Sequence, residues 1–155
     1  MVPALVIIGL GGVWFAALRL AQAIATASII AVDVDDAEKQ IRRLTDGGVP
    51  AAIDFVGAET SATLGLGTLA TGGLLVIVGL FGGQLSAALP LLPLRNLTIR
   101  GSYAGSLEEM LEMMALVQTG KVLPIPVRPR PLGDAQIVLN DLREGRAVGR
   151  MVLMP

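Results

Sequence analysis

An apolar segment that runs directly into a cluster of glycines constrains this chain more than any other feature. Residues 5–8 are Leu-Val-Ile-Ile, and they lead into Gly9, Gly11, Gly12 and Val13. A second apolar segment, 28–32, ends at Asp33. This order predicts a strand, a tight turn, a helix and a second parallel strand, which together form the βαβ unit typical of dinucleotide-binding proteins.

The glycine turn and the acidic residue are expected to contact different parts of a dinucleotide. The turn brings backbone N–H groups towards a diphosphate at the N-terminus of the helix, where the helix dipole favours negative charge. Asp33 can hold the hydroxyls of an adenosine ribose, and its charge repels a 2′-phosphate, so the pattern favours NAD over NADP. Two alternatives stay open: the glycines form only a tight turn, and Asp33 only caps the next helix.

Composition excludes several classes of function. A chain of 155 residues is long enough to bury a core. The net charge of −1 provides no electrostatic attraction to nucleic acid, so no nucleic-acid partner is expected. The absence of both cysteine and histidine excludes disulfides, thiol nucleophiles, histidine-based triads and metal sites built from thiolate or imidazole.

The chain is apolar enough that a membrane protein has to be considered. The mean hydropathy is +0.69, and residues 60–94 carry no charged side chain. Glycines and prolines divide this segment into pieces of strand and helix length, as in a parallel sheet that is covered on both faces. The sequence therefore predicts neither a spanning helix nor a signal peptide, which implies a cytoplasmic protein, and a small membrane protein is the remaining alternative.

Predicted strands and helices alternate along the chain. The strands cover 4–8, 28–32, 51–56, 74–78, 97–102 and 151–153, and the helices cover 13–25, 35–44, 61–70, 106–119 and 134–143. This alternation predicts an α/β doubly wound parallel sheet with helices on both faces. Apolar helix positions are expected to face the core, among them Val13 and Ile24 of the first helix, Leu44 of the second, and Met110 and Met114. Prolines between 124 and 131 predict an extended linker, so we expect a dinucleotide-binding domain over 1–120 and a C-terminal extension over 121–155.

Six segments resemble the cofactor-binding half of the zinc-type medium-chain alcohol dehydrogenases. They are G-L-G-G-V at 9–13, A-V-D at 31–33, I-D-F-V-G at 53–57, V-G-L-F-G-G at 78–83, L-T-I-R-G-S-Y-A-G-S at 97–106 and D-L-R-E-G-R-A-V-G-R-M-V-L at 141–153. Their order and approximate spacing hold over nearly the whole chain. The resemblance implies a Rossmann-like fold with NAD as the cofactor.

The chain also departs from this family in what it lacks. The catalytic domain, which carries the zinc ligands in the family, is absent from the N-terminal side, so we expect a truncated chain without zinc. Between Asp33 and Ala51 there is one short helix, where the family has a further strand and helix. Loss of that strand changes the family's order 3-2-1-4-5-6 into 2-1-3-4-5, in a sheet of about five to six strands.

The resemblance implies further cofactor-binding residues at the ends of strands, where open α/β sheets bind ligands. They are Val56, Gly57, Val78, Gly79 and Leu80. Arg150 matches a family position whose guanidinium can pair with the diphosphate. Asp54 lies within an apolar strand, and we expect it to have a structural hydrogen-bonding role rather than a catalytic one.

Trp14 occupies the position of the third glycine of the motif, which normally permits close packing of the helix on the strand. We expect the indole to point to solvent or to push the helix outward, and to weaken cofactor affinity. The alternative is that Trp14 fills a gap left by the missing domain.

Two hypotheses of function follow from these features. The first is the NAD-binding domain of an alcohol dehydrogenase-like oxidoreductase, with NAD(H) as its ligand and without full catalytic competence alone. The second is a non-catalytic assembly partner, because subunits of the family pair edge to edge through the strand equivalent to 97–102. That pairing predicts a homo-oligomer through this strand.

Overall fold

The fold alternates strands and helices along the whole chain, as the sequence predicts. The structure, a computed structural model, describes residues 4–9, 12–32, 37–147 and 149–155. Its strands are β1 (Ala4–Ile8), β2 (Ser28–Val32), β3 (Val49–Asp54), β4 (Leu69–Ile77), β5 (Thr98–Gly101), β6 (Val127–Pro131) and β7 (Arg150–Met154). Its helices are α1 (Gly12–Ile24), α2 (Ala37–Leu44), α3 (Glu59–Thr68), α4 (Leu91–Leu94), α5 (Leu107–Gln118) and α6 (Ala135–Arg143).

The first five strands form one parallel sheet in the order β2-β1-β3-β4-β5, which confirms the predicted order. Ile8 at the end of β1 lies beside Val32 of β2 on one side and Asp54 of β3 on the other. The carboxyl ends of these three strands therefore meet at one edge of the sheet. Ligands of open α/β sheets bind at this edge.

One face of the sheet carries the main hydrophobic core. Its buried residues come from strands of the sheet and from α2 and α3: Ala4, Val6, Ile8, Val32, Ala37, Ile41, Val49, Ala52, Leu66, Leu69 and Leu75. Val6 and Ile8 point to the same face because side chains alternate along a strand. Among its described members none belongs to α1, which agrees with right-handed crossovers that place α1 and α2 on opposite faces.

The prediction that Leu44 faces the core is wrong. Its side chain is 75% exposed at the end of α2, whereas that of Ile41 is buried in the core cluster. Positions three residues apart on a helix differ by about 60° in direction around the helix axis. Leu44 can therefore lie outside the contact between α2 and the sheet even though Ile41 lies within it.

α5 is also more exposed than predicted. It begins with the expected capping box, in which Ser106 Oγ accepts from the Glu109 amide at 3.1 Å and the Glu109 carboxylate accepts from the Ser106 amide. Met110 and Met114, expected in the core, are 53% and 43% exposed, because the described part of the chain leaves this face uncovered. No helix within the described ranges is both long and apolar enough to cross a membrane.

The segment predicted as a linker is in part a strand. β6 pairs in parallel with β7 in a separate two-stranded sheet, with Val127 beside Arg150. Proline has no N–H group to donate to a neighbouring strand. Each strand of a two-stranded sheet is hydrogen-bonded along one side only, so prolines are tolerated where the nitrogen faces the other side. α6 connects the two strands, so residues 127–154 form a small β-α-β unit of their own.

Candidate functional site

Gly9, which follows β1, lies close to residues from the strands on both sides. Gly9 has φ +116°, and its amide donates to the Val32 carbonyl at 3.1 Å. A β-carbon at this position would lie 3.0 Å from Cγ2 of Val56, which follows β3. A left-handed φ and a close neighbour both favour glycine here. Two other predicted site residues, Gly11 and Asp33, lie outside the described residues.

Arg150 lies beside the start of α1. A β-carbon at Gly12, the first residue of the helix, would be 3.5 Å from Nη1 of Arg150 and 3.8 Å from the Gly149 carbonyl. The backbone of β7 holds the arginine there, since the Arg150 amide donates to the Pro126 carbonyl at 2.8 Å. A guanidinium and a helix N-terminus both favour an anion, so two residues predicted separately lie at one place that suits a phosphate.

Trp14 is buried, which contradicts the expectation that its indole points to solvent. It is 6% exposed, and its indole N–H donates to the Ile7 carbonyl of β1 at 3.5 Å. The ring also packs edge-on against Phe15, with 4.9 Å between centroids. In contrast, Val13 and Ile24, predicted on the buried stripe of α1, are 58% and 62% exposed. The indole therefore lies in the contact between α1 and β1, where the motif normally has glycine.

Asp54 ends β3 with a fully buried carboxylate. Its Oδ1 accepts from the amides of Val56 and Gly57 at 2.9 and 3.0 Å, and its Oδ2 accepts from the Ser61 hydroxyl at 2.9 Å. Ser61 Oγ in turn accepts from the Ala58 amide at 3.0 Å. These bonds confirm the hydrogen-bonding role predicted for Asp54, and they connect the turn after β3 to the first turn of α3.

The turns after β3 and β4 meet backbone to backbone. A β-carbon at Gly57, where φ is +69°, would lie 2.0 Å from the Gly79 carbonyl oxygen. A β-carbon at Gly79 would lie 2.0 Å from the carbonyl carbon of Val56. Beyond this contact, Phe81 and Gly82 donate to the carbonyls of Val56 and Gly57 at 3.2 and 3.0 Å. Any side chain at either glycine would force the turns apart.

A cavity of about 300 Å³ opens between these two turns. Three of its lining residues, Gly57, Gly79 and Leu80, were predicted from the sequence, whereas Val56 and Val78, also predicted, are not among the residues that line it. The lining residues missed by the prediction are Ala58, Glu59, Ala62, Ile77, Gly82, Gly83, Gln84 and Leu85. The double glycine at 82–83 was the available signal, since small residues at a strand end leave room for a ligand.

Zinc, which the resemblance implies for complete members of the family, does not fit the donors of this chain. Zinc sites in proteins are built mainly from cysteine sulfur and histidine nitrogen. The sequence contains neither residue. Across the ranges that the structure describes, no cluster of three or more acidic side chains could replace them.

Sequence comparison relates the chain to dehydrogenases. Residues 12–119 match the sequence model of the zinc-binding dehydrogenase family. The NAD-dependent alcohol dehydrogenase of Sulfurisphaera tokodaii is 34% identical, and the alignment covers 97% of this chain and 50% of that protein. The D-arabinose 1-dehydrogenase (NADP(+)) of Saccharolobus solfataricus is 37% identical over 79% of this chain and 35% of that protein.

Structural comparison gives the same relationship. The crystal structure of the alcohol dehydrogenase from the hyperthermophilic archaeon Aeropyrum pernix superposes with a TM-score of 0.91 at 30% identity, covering 100% of this chain and 51% of that one. The chain thus spans about half the length, or less, of these three proteins. With its parallel sheet in the order 2-1-3-4-5, it belongs to the zinc-binding dehydrogenase family, in which it corresponds to the Rossmann-like domain.

Proposed function

We propose that this chain binds NAD(H) at the carboxyl edge of its five-stranded sheet. The observation that carries the proposal is the position of Arg150 beside Gly12, because it adds a cation to the anion-binding end of α1. The name of the 34% identical relative, an NAD-dependent enzyme, supports the same cofactor. Asp33 supports NAD over NADP, since a carboxylate at the end of β2 disfavours a 2′-phosphate.

The strand order supports one orientation of the dinucleotide over the other. The diphosphate would lie against the glycine turn and α1, both of which follow the central strand β1. The adenosine ribose would extend on one side towards the carboxyl end of β2, which Asp33 follows in the sequence. The nicotinamide half would then extend the other way, over β3 and β4, where the cavity between Gly57 and Gly79 lies.

The proposal predicts saturable binding of NADH with a dissociation constant below about 1 mM. Trp14, the single tryptophan, lies in the first turn of α1, so energy transfer from its indole to bound NADH is the measurement. NADPH is the control, and it should bind more weakly because of its 2′-phosphate. Absence of saturation with NADH at millimolar concentration would contradict the proposal.

We propose that the chain alone does not oxidise alcohols. Its sequence contains no cysteine or histidine, the main zinc ligands of proteins, and the alignment with the Sulfurisphaera tokodaii enzyme covers 50% of that enzyme. In complete enzymes of the family, the bound nicotinamide would take part in hydride transfer. This chain would supply only the binding site for that cofactor. We also propose that the chain divides into a dinucleotide-binding domain over 1–120 and a C-terminal extension over 121–155. The separate sheet of β6 and β7 supports this division. The cytoplasmic location stays a proposal as well.

A second candidate function is assembly through β5, either with another copy or with a homologous dehydrogenase subunit. β5 is the edge strand of the sheet, and all four of its residues are exposed. Leu89 and Leu94, which precede it, are 78% and 81% exposed. An exposed edge next to apolar side chains favours pairing with a second sheet.

This candidate predicts that the chain is a dimer and that Ile99→Pro makes it monomeric. The Ser102 amide donates to Ile77 of β4 at 2.9 Å, so by alternation the Ile99 amide faces away from β4. Proline at this position would remove an outward donor without breaking the contact with β4. Light scattering after gel filtration measures the mass, with Leu111→Lys on the exposed face of α5 as the control that should stay dimeric.

A further inference from the structure

We propose that Asp54, acting through Ser61 and its own turn, is a positioning residue for the nicotinamide end of the site. The inference rests on the proposed NAD(H) function and goes further, because it assigns a ligand-dependent role to a residue that cannot itself touch the ligand. Asp54 is 0% exposed, so any effect on binding has to pass through the groups to which it is hydrogen-bonded.

Asp54 is hydrogen-bonded to three segments that form part of the wall of the cavity. Its carboxylate accepts from two amides of the turn after β3 and from the hydroxyl of Ser61 in α3. Its backbone carbonyl accepts from Val78 and Gly79 of the turn after β4, at 2.8 and 3.1 Å. One residue thus fixes both turns and the start of the helix between their strands.

The groups that Asp54 holds are the ones that a ligand would meet. Gly57 lines the cavity, and Ala58, whose amide is bonded to Ser61, lines it as well. A shift of the turn would therefore alter the lining of the cavity.

A carboxylate is an expensive group to bury, because it loses its hydration. Two backbone N–H groups, one hydroxyl and the N-terminus of α3 compensate for the charge of Asp54. Thr68, at the far end of the same helix, is equally buried, and its hydroxyl donates to the Gly65 carbonyl at 2.8 Å. Thr68 lines no part of the cavity, so it provides a matched control for the loss of a buried hydrogen bond in α3.

The test compares NADH with ADP-ribose, which lacks the nicotinamide, in titrations of the full chain. Ser61→Ala and Asp54→Ala should weaken NADH binding by about tenfold, because each leaves amides of the cavity wall without acceptors. Binding of ADP-ribose should change by less than about twofold. Thr68→Val should leave the ratio of the two dissociation constants unchanged, although it lowers the free energy of unfolding.

Asp54→Asn supplies the rescue. Its oxygen can still accept from Val56 and Gly57, its NH₂ can donate to Ser61 Oγ, and the Ser61 hydroxyl can donate to the Ala58 carbonyl, 3.0 Å away. NADH binding should therefore return to within about threefold of the wild type.

An equal loss of NADH and ADP-ribose affinity in Ser61→Ala, tracking its stability as in Thr68→Val, would overturn the positioning role while leaving the proposed function intact. Failure of the unmutated chain to bind either ligand would instead contradict the proposed function, and with it this inference. If Asp54→Ala does not fold, Ser61→Ala decides the question, since alanine is a favourable helix residue.

Discussion

Gly57→Ala is expected to lower the free energy of unfolding by about 3 kcal/mol or more, through backbone strain and overpacking together. The residue has φ +69°, and its new methyl group would lie 2.0 Å from the Gly79 carbonyl oxygen. Neither backbone can move away freely, because the amides of Phe81 and Gly82 donate to the carbonyls of Val56 and Gly57 on the opposite turn. Urea denaturation followed by circular dichroism measures the change.

Gly72→Ala separates the two causes. Gly72 has a similar φ of +80°, but a β-carbon there would meet nothing within 4 Å. In this variant the free energy of unfolding should fall by about 1 to 2 kcal/mol, which is the cost of the left-handed conformation alone. Gly79→Ala, whose φ is not in the left-handed region, isolates the steric contact. Equal losses in Gly57→Ala and Gly72→Ala would show that the two turns do not meet as described.

Arg150→Met is expected to weaken NADH binding by about tenfold to a hundredfold, the range for a charge-assisted hydrogen bond to phosphate. ADP-ribose should lose affinity by the same factor, because it keeps the diphosphate. Arg150→Lys should recover only part of the loss, since an ammonium group cannot form the paired bonds of a guanidinium. Titration with NADH at two salt concentrations measures how strongly the dissociation constant depends on salt. This dependence should be smaller in Arg150→Met than in the wild type.

Arg128→Met is the matched control for that variant. Arg128 lies on β6, in register with Met151 of β7, and is also exposed. Its replacement changes the net charge equally but removes no group from the start of α1. Similar losses in both variants would indicate that the net charge, rather than a contact of Arg150, determines the affinity.

The sheet could be predicted from the sequence because its signals are local. β-branched runs such as 28–32 end at glycines or acids, and such runs predict the strands. The strand order, in contrast, was predicted from the resemblance to the dehydrogenase family, and handedness then gives the face on which each helix lies. The role of Asp54 was also predictable, since a buried carboxylate needs donors and the following turn supplies them. The capping box at Ser106 is equally local.

The wrong predictions concern contacts between segments that are distant in sequence, and helix faces that no described segment covers. The exposure of Met110 and Met114 could not be predicted from the periodicity of α5, because periodicity shows which face is apolar but not whether anything covers it. Pairing of β6 with β7 was missed because prolines weaken the strand signal. For Trp14, the option that its indole points to solvent is wrong because the motif alone does not show the space that an indole can occupy beside β1.

The contact between Arg150 and Gly12 also affects when the site forms during folding. β1, α1 and β2 are neighbours in sequence, whereas the arginine is supplied by β7, with almost the entire polypeptide in between. Contacts of such high sequence separation require a large loop to close, and they slow folding. After dilution from denaturant, NADH binding should therefore recover more slowly than the circular dichroism signal of the helices. Binding of the nucleotide would then mark the last stage of folding.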